Sequence, residues 1–138
     1  MSRVLLDTGP LVALFSTREV SHAWVLEKFS SWTEPCVTCD PVLTEAFHLL
    51  ARVHGGCASL RTALREELII LDFDIRAELP AVLQLMERYE DIPMSLADAC
   101  LVRMAELSGN AQVFTLDKDF RIYRKNRTES VGLIAPFA

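Results

Sequence analysis

A chain of 138 residues, of which 51% are hydrophobic, is long enough to bury the core of one domain. Its net charge of −5 argues against a protein that coats nucleic acid, because such binding neutralises phosphates with Lys and Arg. No apolar run approaches the roughly 20 residues of a membrane span, and the N-terminus has no signal-peptide pattern. These features predict a single cytoplasmic domain over residues 1–138 that does not associate with membranes.

Strands and helices are predicted to alternate along the chain. Short apolar runs predict strands at residues 3–6, 36–38, 68–71, 112–115 and 131–134. Helical patterns between them are "PLVALFS", "SHAWVLEKFSSW", "DPVLTEAFHLLARV", "SLRTALREE", "PAVLQLMERY" with Pro80 near its start, "SLADACLVRMAELSG" and the basic segment near 118–125. This alternation favours an α/β fold with three α/β/α layers and a mainly parallel sheet of about five strands.

Four acidic residues are expected near the carboxyl edge of this sheet. Asp7 and Asp117 each follow a buried strand, at the edge where parallel sheets bind their ligands. Glu45 lies one turn into the helix that follows the second strand. Asp98 lies at the start of an otherwise apolar helix.

Each acid also has a purely structural interpretation. Asp7 and Asp117 could cap the turns after their strands. Asp98 has the spacing of a capping box with Ser95, and Glu45 could face solvent. As a cluster, however, two carboxylates about 5 Å apart repel by roughly 3 kcal/mol at an effective dielectric of 20. Mg²⁺ or Mn²⁺ relieves that repulsion with oxygen ligands and supports phosphodiester hydrolysis, so the cluster predicts a nuclease.

Four segments carry a family resemblance. "LLDTGPLVAL", "LTEAFHLL", "YEDIPMSLADACLV" and "VFTLDKDF" resemble, in order and spacing, the acidic motifs of PIN-domain ribonucleases, most closely the VapC-type toxins of prokaryotic toxin–antitoxin pairs. The resemblance covers almost the whole chain, from Asp7 to the last strand. It implies a PIN-like fold and endoribonuclease activity dependent on Mg²⁺ or Mn²⁺. It also implies a homodimer and a small antitoxin protein that blocks the groove containing the four acids.

The resemblance also implies roles for individual residues. Metal binding and catalysis are assigned to Asp7, Glu45, Asp98 and Asp117. Thr8 and Thr115 match supporting hydroxyl positions. Ser95 is a departure, because many relatives carry another acid there, and it leaves the number of metal ions open. The other nearby acids are interpreted as capping or solvated residues, with Asp119 as the candidate exception: Asp40, Asp91 and Asp119.

Basic residues are concentrated in "KDFRIYRKNR", residues 118–127, where five bases and one acid give a local charge of +4. A solvated helix face is the simpler interpretation of such a run. In the nuclease interpretation, this predicted helix offers phosphate contacts beside the acids. Those RNA-binding candidates are Lys118, Arg121, Arg124, Lys125 and Arg127.

Other patterns support different functions less well. Cys36 and Cys39 form a CxxC with no second pair to complete a zinc site, so both are interpreted as small, reduced core side chains. The ExxH pair of Glu45 and His48 lacks the second motif of a di-iron bundle. A receiver-type phosphoacceptor domain would need a paired acidic cluster near the first strand and a Lys at the end of a late strand, and the sequence shows neither. The main alternative is a non-catalytic PIN-like binding module that uses the acidic cleft for a metal or protein partner.

A partner surface is also expected on the helices "SHAWVLEKFSSW" and "DPVLTEAFHLL". Their aromatic residues could line an apolar groove that accepts an amphipathic helix, or they could belong to the core. These residues are Trp24, Phe29, Trp32 and Phe47.

Overall fold

The computed structural model describes residues 3–138. Its α-helices are α1 (Thr8–Phe15), α2 (His22–Ser30), α3 (Asp40–Leu50), α4 (Gly56–Arg65), α5 (Ile75–Arg88) and α6 (Leu96–Leu107). Its strands are β1 (Arg3–Leu6), β2 (Cys36–Thr38), β3 (Ile69–Leu71), β4 (Ala111–Phe114), β5 (Arg124–Lys125), β6 (Glu129–Ser130) and β7 (Leu133–Ile134). A 3-10 turn spans Lys118–Arg121.

Five of these strands form one parallel sheet in the order β3-β2-β1-β4-β7. The central strand β1 is almost entirely buried, and its last residue, Leu6, is paired with Phe114 at the end of β4. Parallel strands need helical crossovers, which cover both faces of the sheet with apolar surface. The predicted three-layer α/β/α architecture is therefore confirmed, and the five predicted strands match those of the sheet to within two residues.

Aromatic side chains from α2 and from the segment after it pack against β4. Phe114 is fully buried, and the rings of Trp24 and Trp32 lie 5.6 Å and 5.1 Å from its ring. Phe29 and Phe47 also pack against the core. All four aromatics are half-buried and pack against the core, as one of the two interpretations predicts. Trp32 also lines an open cavity of about 460 Å³, so the partner groove stays a prediction.

Two predicted helices begin earlier than their patterns indicated. Helix α5 starts at Ile75, where the Asp74 carboxylate accepts a hydrogen bond from the Ala77 N–H, so Pro80 lies inside the helix and not near its start. Helix α4 starts at Gly56, three residues before the predicted Ser59. In both cases the local start of the helix is fixed by the preceding loop and not by the apolar pattern.

The helix predicted over 118–125 is wrong. After the 3-10 turn, the Arg124 guanidinium donates hydrogen bonds to the carbonyl oxygens of Arg121, Ile122 and Tyr123. Those carbonyls therefore accept from a side chain, and the chain continues as the antiparallel ribbon of β5 and β6.

The cysteine side chains behave as expected of small apolar groups. Cys36, Cys39 and Cys100 are buried in the core, and Cys57 is half-buried against it. None of the α-helices in residues 3–138 combines the length and apolar composition needed to cross a bilayer.

Candidate active site

The four predicted acids line one open cavity of about 380 Å³ at the carboxyl edge of the sheet. Asp7 ends β1, and Asp117 follows the neighbouring strand β4. Asp98 lies in the first turn of α6, and Glu45 lies in the second turn of α3. The remaining lining residues are Thr8, Gly9, Ser95, Ala97 and Leu116.

Asp7 is the most buried of the acids, with 6% of its surface exposed. Its Oδ1 accepts a 2.8 Å hydrogen bond from the Thr8 N–H, and its Oδ2 accepts a 2.7 Å bond from the Thr115 hydroxyl. The first contact caps α1, as a carboxylate at a helix N-terminus commonly does. Burial nevertheless raises the pKa of Asp7 to about 7, because the two hydrogen bonds offset only part of the desolvation.

Thr115 connects two of the acids. Its hydroxyl donates to Asp7, and the same oxygen accepts a 2.9 Å hydrogen bond from the Asp117 N–H. The Asp117 carboxylate in turn accepts from the Asp119 N–H and caps the 3-10 turn. Thr115 does not line the cavity but lies directly behind it, which fits the supporting hydroxyl expected at this position.

Asp98 is oriented from two sides. Its Oδ2 accepts a 3.3 Å hydrogen bond from the Ser95 N–H, while the Ser95 hydroxyl accepts from the Asp98 N–H, so the predicted capping box is confirmed. The same Oδ2 accepts a 3.0 Å bond from the hydroxyl of Tyr123, a fully buried residue. The capping role and the cavity position of Asp98 therefore coexist.

The acids influence each other through space. Asp98 and Asp117 both raise the pKa of Asp7, although burial is the larger cause. Burial and the Asp117 charge raise the pKa of Asp98, against the opposing hydrogen bonds from Ser95 and Tyr123. Burial and the Asp98 charge raise the pKa of Glu45, whose side chain is exposed at the rim. The cavity therefore favours a proton or a cation over four free charges.

Two further observations bear on a metal ion. The Thr8 hydroxyl is buried in the cavity wall, and its oxygen has no hydrogen-bond partner among the described residues. Within residues 3–138, no three His, Cys, Asp or Glu side chains stand close enough together to hold one ion by themselves. An ion in the cavity would thus have one or two carboxylate ligands and several waters, which is the coordination that Mg²⁺ accepts.

The structure places the five predicted phosphate-binding residues in different surroundings. Lys118 and Arg121 are exposed on the turn after Asp117, and the Arg121 guanidinium lies 5.3 Å from the ring of Phe137. The Arg124 guanidinium is held by backbone carbonyls. Lys125 is half-buried in β5, and Arg127 lines a different cavity between α5 and α6. The five residues do not form the single basic helix face that was predicted.

Tyr123 is the site residue that sequence reasoning missed. It lies inside the basic run "RIYRKNR", which was interpreted by its charge alone, so a buried hydroxyl was not predicted there. A usable signal was present, since Phe120 and Tyr123 are the aromatic residues of the segment 118–127, three residues apart, and both are fully buried. Their rings pack edge to face, with centroids 5.2 Å apart.

A model of the PIN domain family matches residues 4–126, which is most of the chain. The chain therefore belongs to the PIN domain family. This confirms the family predicted from the four acidic motifs.

Two individual proteins resemble the chain. Ribonuclease VapC26 of Mycobacterium tuberculosis is 29% identical over 119 residues, which are 83% of this chain and 87% of that protein. The crystal structure of Mycobacterium tuberculosis VapC20, a sarcin-ricin loop cleaving toxin, has a TM-score of 0.70 with 21% sequence identity. That match covers 84% of this chain and 91% of VapC20 and shows a shared fold. The chain is thus similar to VapC-type PIN ribonucleases.

The stability of the metal-free protein is expected to fall as the pH rises from 3.8 to about 7, the unfolded and folded pKa values of Asp7. The folded state binds the Asp7 proton more strongly than the unfolded state does. The stabilisation by this proton is therefore fully present below pH 3.8 and is lost as the pH rises to about 7. Asp7→Asn should make the free energy of unfolding less dependent on pH, because an amide does not titrate there. Urea unfolding in EDTA from about pH 4 to about pH 8 measures this.

The matched control is Asp91→Asn, which changes an exposed carboxylate before α6 and should keep the wild-type pH dependence. An Asp7→Asn protein that loses stability with rising pH as steeply as the wild type contradicts the raised pKa.

Tyr123→Phe is expected to lower the free energy of unfolding by about 1.5–3 kcal/mol, as loss of a buried hydrogen bond to a carboxylate does. It should also reduce the increase in melting temperature that Mn²⁺ causes, because Asp98 loses the hydroxyl that orients it. Tyr89→Phe is the matched control, since the Tyr89 hydroxyl accepts from the Arg124 N–H outside the cavity. Equal Mn²⁺ responses in the two variants would show that Tyr123 is only structural.

Proposed function

We propose that this PIN-domain protein is a metal-dependent endoribonuclease that hydrolyses RNA phosphodiester bonds and acts as the toxin of a type II toxin–antitoxin pair in the cytoplasm. The observation that carries the proposal is the cavity in which Asp7, Glu45, Asp98 and Asp117 meet. The similarity to Ribonuclease VapC26 supports RNA as the substrate class.

The residues of the cavity fit a hard divalent cation, Mg²⁺ or Mn²⁺. Every candidate ligand is an oxygen, and the carboxylates of Asp7 and Asp98 have pKa values raised by burial and mutual repulsion. Thr8 lines the same cavity, and its buried hydroxyl has no hydrogen-bond partner among the described residues, which a bound ion or its water would provide. One or two of the carboxylates of Asp7, Asp98 and Asp117 would bind the ion directly, and the others would bind its waters, with Glu45 at the rim.

Such an ion, when bound, stabilises negative charge on the phosphodiester and makes water more acidic. The protein contributes orientation and exclusion of water around the acids. Thr115 fixes the rotamer of Asp7, and Ser95 and Tyr123 fix that of Asp98. Glu45, exposed at the rim with a raised pKa, is placed to exchange a proton with solvent or substrate. Fixed carboxylates of this kind need little rearrangement during the reaction.

Lys118 and Arg121 provide phosphate contacts beside the cavity. Both are exposed on the turn that begins directly after Asp117, so their charges lie near any strand that enters the acidic site. The ring of Phe137 beneath Arg121 limits the freedom of its guanidinium group. These contacts partly offset the repulsion between RNA and an acidic protein.

The proposed toxin works with protein partners: a second copy of itself and a small antitoxin. This part of the proposal rests on the resemblance to VapC-type toxins. The protein offers exposed apolar surface for such contacts, since Leu79 and Leu83, one turn apart on α5, are 41% and 47% exposed. Contiguous exposed apolar residues commonly mark interaction surfaces.

Asp98→Asn is expected to reduce RNA cleavage by about 100- to 1,000-fold at saturating Mg²⁺, as loss of a fixed electrostatic group does. The Asn oxygen can still accept from the Ser95 N–H and the Tyr123 hydroxyl, and the substitution relieves repulsion. The melting temperature without metal should therefore hold or rise. Single-turnover cleavage of one RNA, together with metal-free melting curves, measures both quantities.

The charge-matched control is Asp119→Asn, because Asp119 follows Asp117 closely but does not line the cavity. This variant should cut RNA at nearly the wild-type rate. A stable Asp98→Asn protein that also cuts normally would leave Asp98 as a helix cap only. A wild type that never cuts RNA with Mg²⁺ or Mn²⁺ would support the non-catalytic binding module instead.

Purification from the native host is expected to yield a complex with a small second protein. Removing that protein under mild denaturation and refolding the chain should increase RNA cleavage, because the partner blocks the groove. The molar mass of the refolded chain, measured by light scattering, should be that of a homodimer. Recovery of a fully active, partner-free protein directly from the host would contradict inhibition by complex formation.

A further inference from the structure

A second polar cavity, of about 250 Å³, lies between α5, α6 and the turn that joins β5 to β6. Three arginines line it, one from each of these elements: Arg88, Arg103 and Arg127. Gln84, Glu106 and Asn126 complete its polar surface. It is separate from the acidic cavity, and the two share no lining residue. We call it the arginine cleft.

The base of the arginine cleft is a closed network of charges. Arg103 Nε donates to Glu78 at 2.7 Å, and Arg103 Nη1 donates to Glu106 Oε1 at 3.2 Å. The other carboxylate oxygen of Glu106 accepts a 2.6 Å bond from the Asn126 N–H. Both glutamates are thus already engaged, and the network fixes the turn against α6.

Two arginines at the rim remain available. Arg88 and Arg127 are exposed, and neither makes a hydrogen bond or ion pair with another residue in the range 3–138. Three guanidinium groups against the carboxylates of Glu78 and Glu106 leave a local charge of +1 in a chain whose net charge is −5. The cleft is therefore a place where an anion is favoured and has free donors.

Arg127 is presented in a fixed conformation. Asn126 and Arg127 both have positive φ angles, 49° and 72°, in the turn of the β5–β6 ribbon. Left-handed backbone costs on the order of 1 kcal/mol for a residue with a side chain, and surrounding contacts must hold it. Here the Glu106–Asn126 hydrogen bond does so. The backbone at Arg127 is thus fixed beside the cleft, and its guanidinium keeps its donors available there.

The chain segment that leaves the acidic cavity leads along α6 to the arginine cleft. Tyr123 binds Asp98 in the first turn of α6, and the Asn126 N–H binds Glu106 near its end. The rise of 1.5 Å per residue places these two levels ~12 Å apart along the helix. This segment begins with the exposed Lys118 and Arg121, on the turn after Asp117, and reaches the exposed Arg127 at the cleft.

We propose that the arginine cleft binds a backbone phosphate of the same RNA strand whose scissile bond lies in the acidic cavity. This inference rests on the proposed nuclease function and deepens it. Guanidinium groups bind phosphate oxygens in pairs, and phosphate contacts fix the position of a strand without reading its sequence. An RNA strand is favoured over an acidic peptide because the cleft and the acidic cavity adjoin the two ends of α6, ~12 Å apart along the helix.

The test measures binding of a fluorescein-labelled single-stranded RNA of about 15 nucleotides by anisotropy, in EDTA so that nothing is cut. Arg88→Gln/Arg127→Gln should weaken binding by roughly tenfold and reduce the slope of log K against log salt by about 0.7, because the contact with one phosphate is lost. Arg52→Gln/Arg61→Gln, which removes two exposed arginines near α4, should change neither quantity. Equal affinity and slope in the cleft variant and the wild type would overturn the proposal.

Cleavage assays with Mg²⁺ separate this inference from the proposed function. The cleft variant should have a KM several-fold higher with unchanged kcat, since the cleft does not touch the reacting atoms. A wild type that binds RNA through the cleft but never cuts contradicts the nuclease alone. A wild type that cuts while the cleft variant binds RNA normally contradicts the cleft alone. If the cleft variant loses binding only to a polyglutamate peptide, the cleft serves a protein partner and the proposal fails.

Discussion

The hydrogen bond from the Thr115 hydroxyl to Asp7 Oδ2 joins residues from adjacent strands of the sheet and holds a carboxylate in a place where water hardly reaches it. A buried carboxylate destabilises a fold by several kcal/mol unless it has partners. Thr115 and the Thr8 N–H are those partners, and burial still outweighs them. The other acids are arranged around this partly compensated charge. The cavity therefore favours the binding of a proton or a cation.

Capping and chemistry are carried by the same carboxylates. Asp7 accepts from the backbone at the start of α1, Asp98 at the start of α6, and Asp117 at the start of the 3-10 turn. A helix N-terminus offers free N–H groups and a positive end of the dipole, which fixes an acid in one rotamer. The capping interpretation of Asp7, Asp98 and Asp117 is therefore confirmed, and the same contacts hold all three carboxylates at one shared cavity.

The positions of the acids could be predicted from the sequence because they follow from strand order. Asp7 and Asp117 end apolar runs, and parallel strands bring such ends to one edge. The basic segment could not be predicted in the same way. Its path depends on Arg124 binding three backbone carbonyls and on left-handed turn residues, and neither leaves an apolar period in the sequence. Tyr123 was missed for the same reason, since its role depends on where that path runs.

The strand order also determines when the acidic cavity can exist. β1 is made first and lies at the centre of the sheet, yet its partner on one side, β4, is made after all six α-helices. Chains are synthesised from the N-terminus, and contacts distant in sequence form late. A growing chain therefore carries Asp7 without Thr115, Asp117 or Tyr123, and has no assembled acidic cavity. In the proposed nuclease, this topology delays assembly of the acidic cavity until the last fifth of the chain has been synthesised.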